Sequence, residues 1–212
     1  MSVSKAACLV VNMNGLLDGY LEAINNSLAM VNQYLTKNGY YREKFEIYSE
    51  EDLPKILEFV NNHQKASSFL FYYVSNGAPP RLPKQRVPPG QTVAVDPGNK
   101  YDMNFRFKQL LEQTCIKCQD NLFMILDCPL CPGVPSPRSG GPFNSRMYYL
   151  AASNQETARI VPGPSGYTTF TKVVFDYMNT AKSYKHSDLV FILDNNYKNN
   201  ETQFFHRIYP VS

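Results

Sequence analysis

The chain has 212 residues, a length that suits one large domain, and 43% of them are hydrophobic, enough to bury a core without disulfide staples. Its 21 basic and 18 acidic residues leave a net charge of +3 with no long run of either sign, which argues against a nucleic-acid or membrane-surface partner. No apolar stretch reaches the length of a membrane span, and the run Ala6 to Val11 is too short for a secretory leader. The expected setting is therefore cytoplasmic or nuclear, not secreted, in keeping with five cysteines that a chain this long does not need as staples.

In chain order, Ala6 to Asn12 is a Val-rich buried strand closed by the turn signals Asn14 and Gly15. Leu17, Leu21, Ile24, Leu28, Val31 and Leu35 then recur every three or four residues, an amphipathic helix ended by Asn38-Gly39. Phe45 to Tyr48 is a short strand. Ser49 with Asp52 three residues on resembles a helix start, and Leu53, Ile56, Leu57 and Val60 continue on one face. Ser67 to Val74, SSFLFYYV, is apolar on both faces, as a parallel strand covered by helices must be.

A Pro-rich loop spans Gly77 to Gly90 and is followed by a minor strand, Thr92 to Val95. A helix from about Asp102 to Cys115 leads into a second fully apolar strand, Leu122 to Leu126. Residues 132–145 form a Gly-, Pro- and Ser-rich loop. Beyond it, Met147 to Ala152 is a strand and Thr168 to Ala181 a helix. Leu189 to Leu193 and Phe204 to Tyr209 are closing strands. The alternation of strands and helices predicts an α/β fold with a doubly wound, mostly parallel sheet flanked by helices. In such sheets ligands meet the carboxyl ends of the central strands, here Val74 to Gly77 and Leu126 to Cys131.

Those two tips resemble the caspase-like cysteine peptidases, the metacaspase branch most. Tyr72-Tyr73-Val74-Ser75-Asn76-Gly77-Ala78 is similar to the end of that family's third strand, where the general-base His precedes a Gly. Ile125-Leu126-Asp127-Cys128-Pro129 is similar to the end of its fourth strand, where the nucleophilic Cys lies two residues after an Asp. ACLVVNMNGLLDG, LAASNQETAR with the later YTTFT, and the final FFHRIYPVS resemble further segments of the family. The resemblance implies a caspase-like six-stranded sheet in a single domain over 1–212. Residues 1–131 match the large subunit and 146–212 the small one, joined by the loop 132–145.

The departures decide the expected activity. Asn76 stands where the resemblance places the His, and Pro129 where it places the Cys. An Asn amide cannot take a proton from a thiol, and proline offers no nucleophile. The expectation is a catalytically inactive pseudoprotease acting as a regulatory module that binds a protein or peptide. Asp127 and Gly77 would line the vacated cleft. By the resemblance, Asp127 would hold a basic side chain of the partner; the alternative is a carboxylate that caps the strand end on backbone N–H groups. The resemblance also points to a homodimer or heterodimer through the last strand, Phe204 to Tyr209.

Two other readings stand beside this one. Cys128 or Cys131 could serve as a displaced nucleophile in a peptidase preferring basic residues, with His63, His186 and His206 as the only bases of that type. Alternatively, the pairs Cys115-x-x-Cys118 and Cys128-x-x-Cys131 form a zinc-binding interaction module. Geometry opposes the zinc: the intervening strand residues span about 20 Å, while thiolates around one zinc lie within about 4 Å of each other. The expectation is no cofactor.

Overall fold

The computed structural model describes residues 3–13, 20–75, 100–118, 121–128, 147–151, 166, 169–183, 185–197 and 205–209. Strand β1 (Lys5–Asn12) buries every residue between its ends, so it must be covered on both faces. Ala6, Cys8 and Val10 face one hydrophobic cluster, and Ala7, Leu9 and Val11 face another. Strand β3 (Ser68–Val74) divides the same way: Phe69, Phe71 and Tyr73 go to the first face, Leu70, Tyr72 and Val74 to the second. The period of two along each strand thus builds two cores, one on each side of a single sheet.

Helix α1 (Tyr20–Lys37) covers the second face with Ala23, Ile24, Ser27, Leu28, Val31 and Leu35. The apolar stripe expected of it holds from Ile24 onward, but Leu21 is exposed and the small Ala23 and Ser27 take the sheet side instead. Leu17 lies outside the described residues. The helix ends in a Schellman turn: Tyr40 N–H donates to the Leu35 carbonyl at 2.9 Å, and Gly39 N–H to the Thr36 carbonyl at 3.2 Å. Gly39 sits at φ +71 with open space where a Cβ would stand. Gly39→Ala should therefore cost only the conformational penalty, about 1 kcal/mol, read as a lowered denaturation midpoint.

Strand β2 (Tyr41–Ile47) starts four residues earlier than its apolar signal, because an edge strand keeps charged residues on an open face. After it, the Asp52 carboxylate accepts the N–H groups of Tyr48 (3.0 Å) and Ser49 (3.2 Å), and Ser49 Oγ accepts the Glu51 N–H. This closes a short 3-10 turn that opens helix α2 (Leu53–His63), with Pro54 in its first turn. Helix α2 and helix α3 (Lys100–Lys117) lie over the first face, through Leu53, Ile56, Phe59, Val60, Leu110, Leu111 and Cys115.

Strand β4 (Leu122–Asp127) joins β3 in parallel, and β5 (Met147–Ala151) joins β4 in parallel. Helix α4 (Thr169–Thr180) and helix α5 (His186–Tyr197) cover the second face beside α1. Strand β6 (Phe205–Tyr209) runs antiparallel to β5, and the strand order is β2-β1-β3-β4-β5-β6. The protein is α/β, with the parallel strands β2-β1-β3-β4 at its centre and helices on both faces. No helix among the described residues is long and apolar enough to cross a membrane.

One expected element changes type. Leu189 to Leu193, expected as a strand, belongs to α5. Leu189 and Leu193 are buried while Phe191 between them is 66% exposed, an i, i+4 stripe rather than an alternation. The β-branched and aromatic run VFI imitated a strand, but burying one face of a helix met the apolar demand. The minor strand at 92–95, the Pro-rich loop at 77–90 and the loop 132–145 lie outside the described residues.

Candidate functional site

The carboxyl ends of the central strands stand level. Val11 is paired with Val74, and Val74 with Asp127. Beyond those pairs, Ser75 N–H donates to the Asp127 carbonyl at 3.0 Å, so β3 and β4 leave the sheet side by side. The chain leaving β1 goes to α1 on one face and the chain leaving β3 goes to α3 on the other. In sheets of this kind ligands bind where the chain diverges in this way, here between the tips of β1 and β3. Near that point Asn12 Nδ2 donates to the Tyr73 hydroxyl at 3.1 Å.

Asp127, the site residue expected at the tip of β4, is fully buried. Its Oδ2 accepts the hydroxyl of Thr171 at 2.5 Å, and the Thr171 oxygen lies 2.7 Å from the Tyr72 hydroxyl. Thr171 has one proton and gives it to the carboxylate, so the Tyr72 O–H must donate to Thr171. The relay runs Tyr72 to Thr171 to Asp127, and all three side chains are fully buried. Thr171 stands in the first turn of α4, whose positive end favours a carboxylate nearby. A hydroxyl donor on one oxygen and a helix start nearby both favour a buried carboxyl group. Neither expected role, a pocket for a basic side chain or a cap on local backbone, includes this contact with α4.

Cys128 is 3% exposed and belongs to the core on the α2 and α3 face, with Cys8, Cys115 and Cys118. Burial pushes the Cys115 and Cys118 thiols up to about 12 and raises Cys8 well above the ordinary thiol range. The described cysteines are all buried, the environment of inert rather than activated thiols. Between Cys118 and Cys128 runs the unbroken strand β4, whose six residues span about 20 Å. That is too far for two ligands of one zinc, and no group of three or more metal-ligating side chains gathers among the described residues. Asn76, Gly77, Pro129 and Cys131 lie outside the described residues.

The histidines are placed away from the tip of β4. His63 ends α2 and stacks on Tyr41, the first residue of β2, with ring centroids 5.1 Å apart. It therefore lies at the amino end of the sheet, where its Nδ1 is 2.9 Å from the Phe59 carbonyl. His186 is buried at the start of α5, next to Lys185, whose carbonyl accepts the hydroxyl of Tyr177 in the last turn of α4. His206 is paired with Leu150 on β6 and stands two strands from β4, about 10 Å away.

Sequence reasoning missed Tyr72, Thr171, Asn12 and Tyr73. The available signal was polar atoms where a strand should be apolar: two tyrosines at the end of SFLFYYV, each needing a hydrogen-bond partner once buried. Comparison of the chain with models of protein families and with curated proteins gave no match to either.

Proposed function

We propose that this is a caspase-like domain that has lost its catalytic dyad and works by binding a protein or peptide at the tips of β3 and β4. One observation carries the reading. Val74 and Asp127 are register partners, and two residues beyond each of them the sequence has Asn76 and Pro129. The positions that the family resemblance assigns to base and nucleophile therefore follow paired residues on adjacent parallel strands. Neither side chain can perform the chemistry.

The mostly parallel sheet with helices on both faces, closed by an antiparallel β6, supports the caspase-like reading. Burial of Cys128 in an apolar core disfavours it as a displaced nucleophile. Among the described residues strand β6 ends the sheet, which leaves its outer side for pairing with a second copy or an active relative.

The test is intact-mass labelling with a peptidyl electrophile carrying a terminal Arg, applied to native and to unfolded protein. The expected result is native labelling no faster than that of a simple buried thiol, with Cys8, Cys115, Cys118 and Cys128 reacting on unfolding. Fast native labelling at Cys128 or Cys131, abolished by its replacement with Ala, would establish a peptidase and refute the binding-only role.

A further inference from the structure

Strand β2 closes the sheet at the end opposite β6, and among the described residues no strand pairs its outer side. Its register with β1 sets which face each residue takes. Arg42, Lys44 and Glu46 stand opposite Ala7, Leu9 and Val11, on the α1 side. Tyr41, Glu43, Phe45 and Ile47 stand opposite Ala6, Cys8, Val10 and Asn12, on the α2 side. The Ile47 carbonyl turns inward to the Met13 N–H at 2.9 Å. Main-chain groups alternate sides along a strand, so those of Arg42, Lys44 and Glu46 turn outward and are available to a further strand.

We propose that β2 pairs antiparallel with β2 of a second copy, about a two-fold axis at Phe45, joining two sheets into one. Such an axis, normal to the sheet, keeps each face on its own side and must pass through a residue. Centred on Glu43 it sets Arg42 against Lys44; centred on Lys44 or on Glu46 it sets that charge against itself. Centred on Phe45 it places Lys44 opposite Glu46 twice, Glu43 opposite Ile47 twice and Phe45 opposite Phe45. That register has no like-charge pair, and cross-strand pairs of this kind are the unit of sheet stability.

The outward main-chain groups also fit. Lys44 and Glu46 of opposite copies become the hydrogen-bonded pair and exchange both bonds, twice by symmetry. Within one chain the Glu46 carboxylate already holds Lys44 Nζ at 2.7 Å and the Tyr48 hydroxyl at 2.7 Å, and these two contacts keep its carboxyl below the usual carboxylate range. The charged group is thus in place before a partner arrives, and Arg42 has no ion-pair partner among the described residues. Charges on an edge strand ordinarily keep other strands away. Here Lys44 and Glu46 are complementary to the same pair of a second copy across the axis, which selects that copy as the occupant.

Sedimentation equilibrium of the full chain over a micromolar concentration series tests this with Lys44→Glu and the swap Lys44→Glu/Glu46→Lys. The wild type should self-associate. Lys44→Glu should weaken the dimer by about tenfold or more, and the swap should return it to within about threefold. The swap keeps the 44–46 ion pair within each chain, and equal thermal melts of all three proteins separate lost pairing from lost fold. A wild type that stays monomeric, a dimer indifferent to Lys44→Glu as pairing through β6 would give, or a swap that fails to restore association would overturn the proposal.

Discussion

Replacing Thr171 with Val should destabilise the fold by about 3 kcal/mol, since hydrogen bonds to buried charged groups are worth roughly twice neutral ones. Valine fills nearly the same volume, so the loss is electrostatic. The Asp127 carboxylate forfeits its 2.5 Å donor, and the Tyr72 hydroxyl forfeits its acceptor at 2.7 Å. Tyr72→Phe removes only the neutral bond and keeps the ring edge-on to Phe175, so about 1 kcal/mol is expected. The double mutant should cost less than the sum of the singles, because the bond shared by Tyr72 and Thr171 is lost once. Thr171→Ser retains the hydroxyl and should stay within about 1 kcal/mol of wild type, the scale of one buried methyl. Urea denaturation midpoints decide the matter. Equal losses for Val and Ser at position 171 would show that packing, not the carboxylate, sets the cost.

The second large effect lies in α5. Leu193→Ala should cost about 3 kcal/mol as a cavity in the core beside Leu150, Val174 and Leu189. Phe191→Ala should fall within about 0.5 kcal/mol, as surface changes do. The contrast discriminates conformations sharply. In a strand, residues 189, 191 and 193 share one face, so truncation at 191 would cost as much as at its neighbours. In a helix, 189 and 193 share a face and 191 lies opposite. Comparable losses at 191 and 193 would put this segment back in the sheet.

Both segments are parts of the molecule that the amino-acid order conceals. Along 189–193 the composition favours a strand, and a short apolar run carries no period that separates a buried strand from a buried helix stripe. At Asp127 the expected alternatives were local backbone or an incoming basic side chain. The observed donor is Thr171, 44 residues further along. Spacing along the chain has no bearing on a contact made when α4 settles on the far face of the sheet. Tyr72 shows the same limit: its neighbours in SFLFYYV mark it as core, but the partner of its hydroxyl is 99 residues away.

What the sequence determined by itself is the α/β alternation, the doubly buried strands β1, β3 and β4, and the Asn38-Gly39 helix stop. Each follows from short-range physics: a period of two or of 3.6, or a backbone angle that glycine tolerates. The tertiary structure alone decided that the tips of β3 and β4 stand level, that Cys128 turns into the core, and that Asp127 is bound to α4. Those depend on strand register and layer packing, and both are set by which apolar faces cover one another across the sheet.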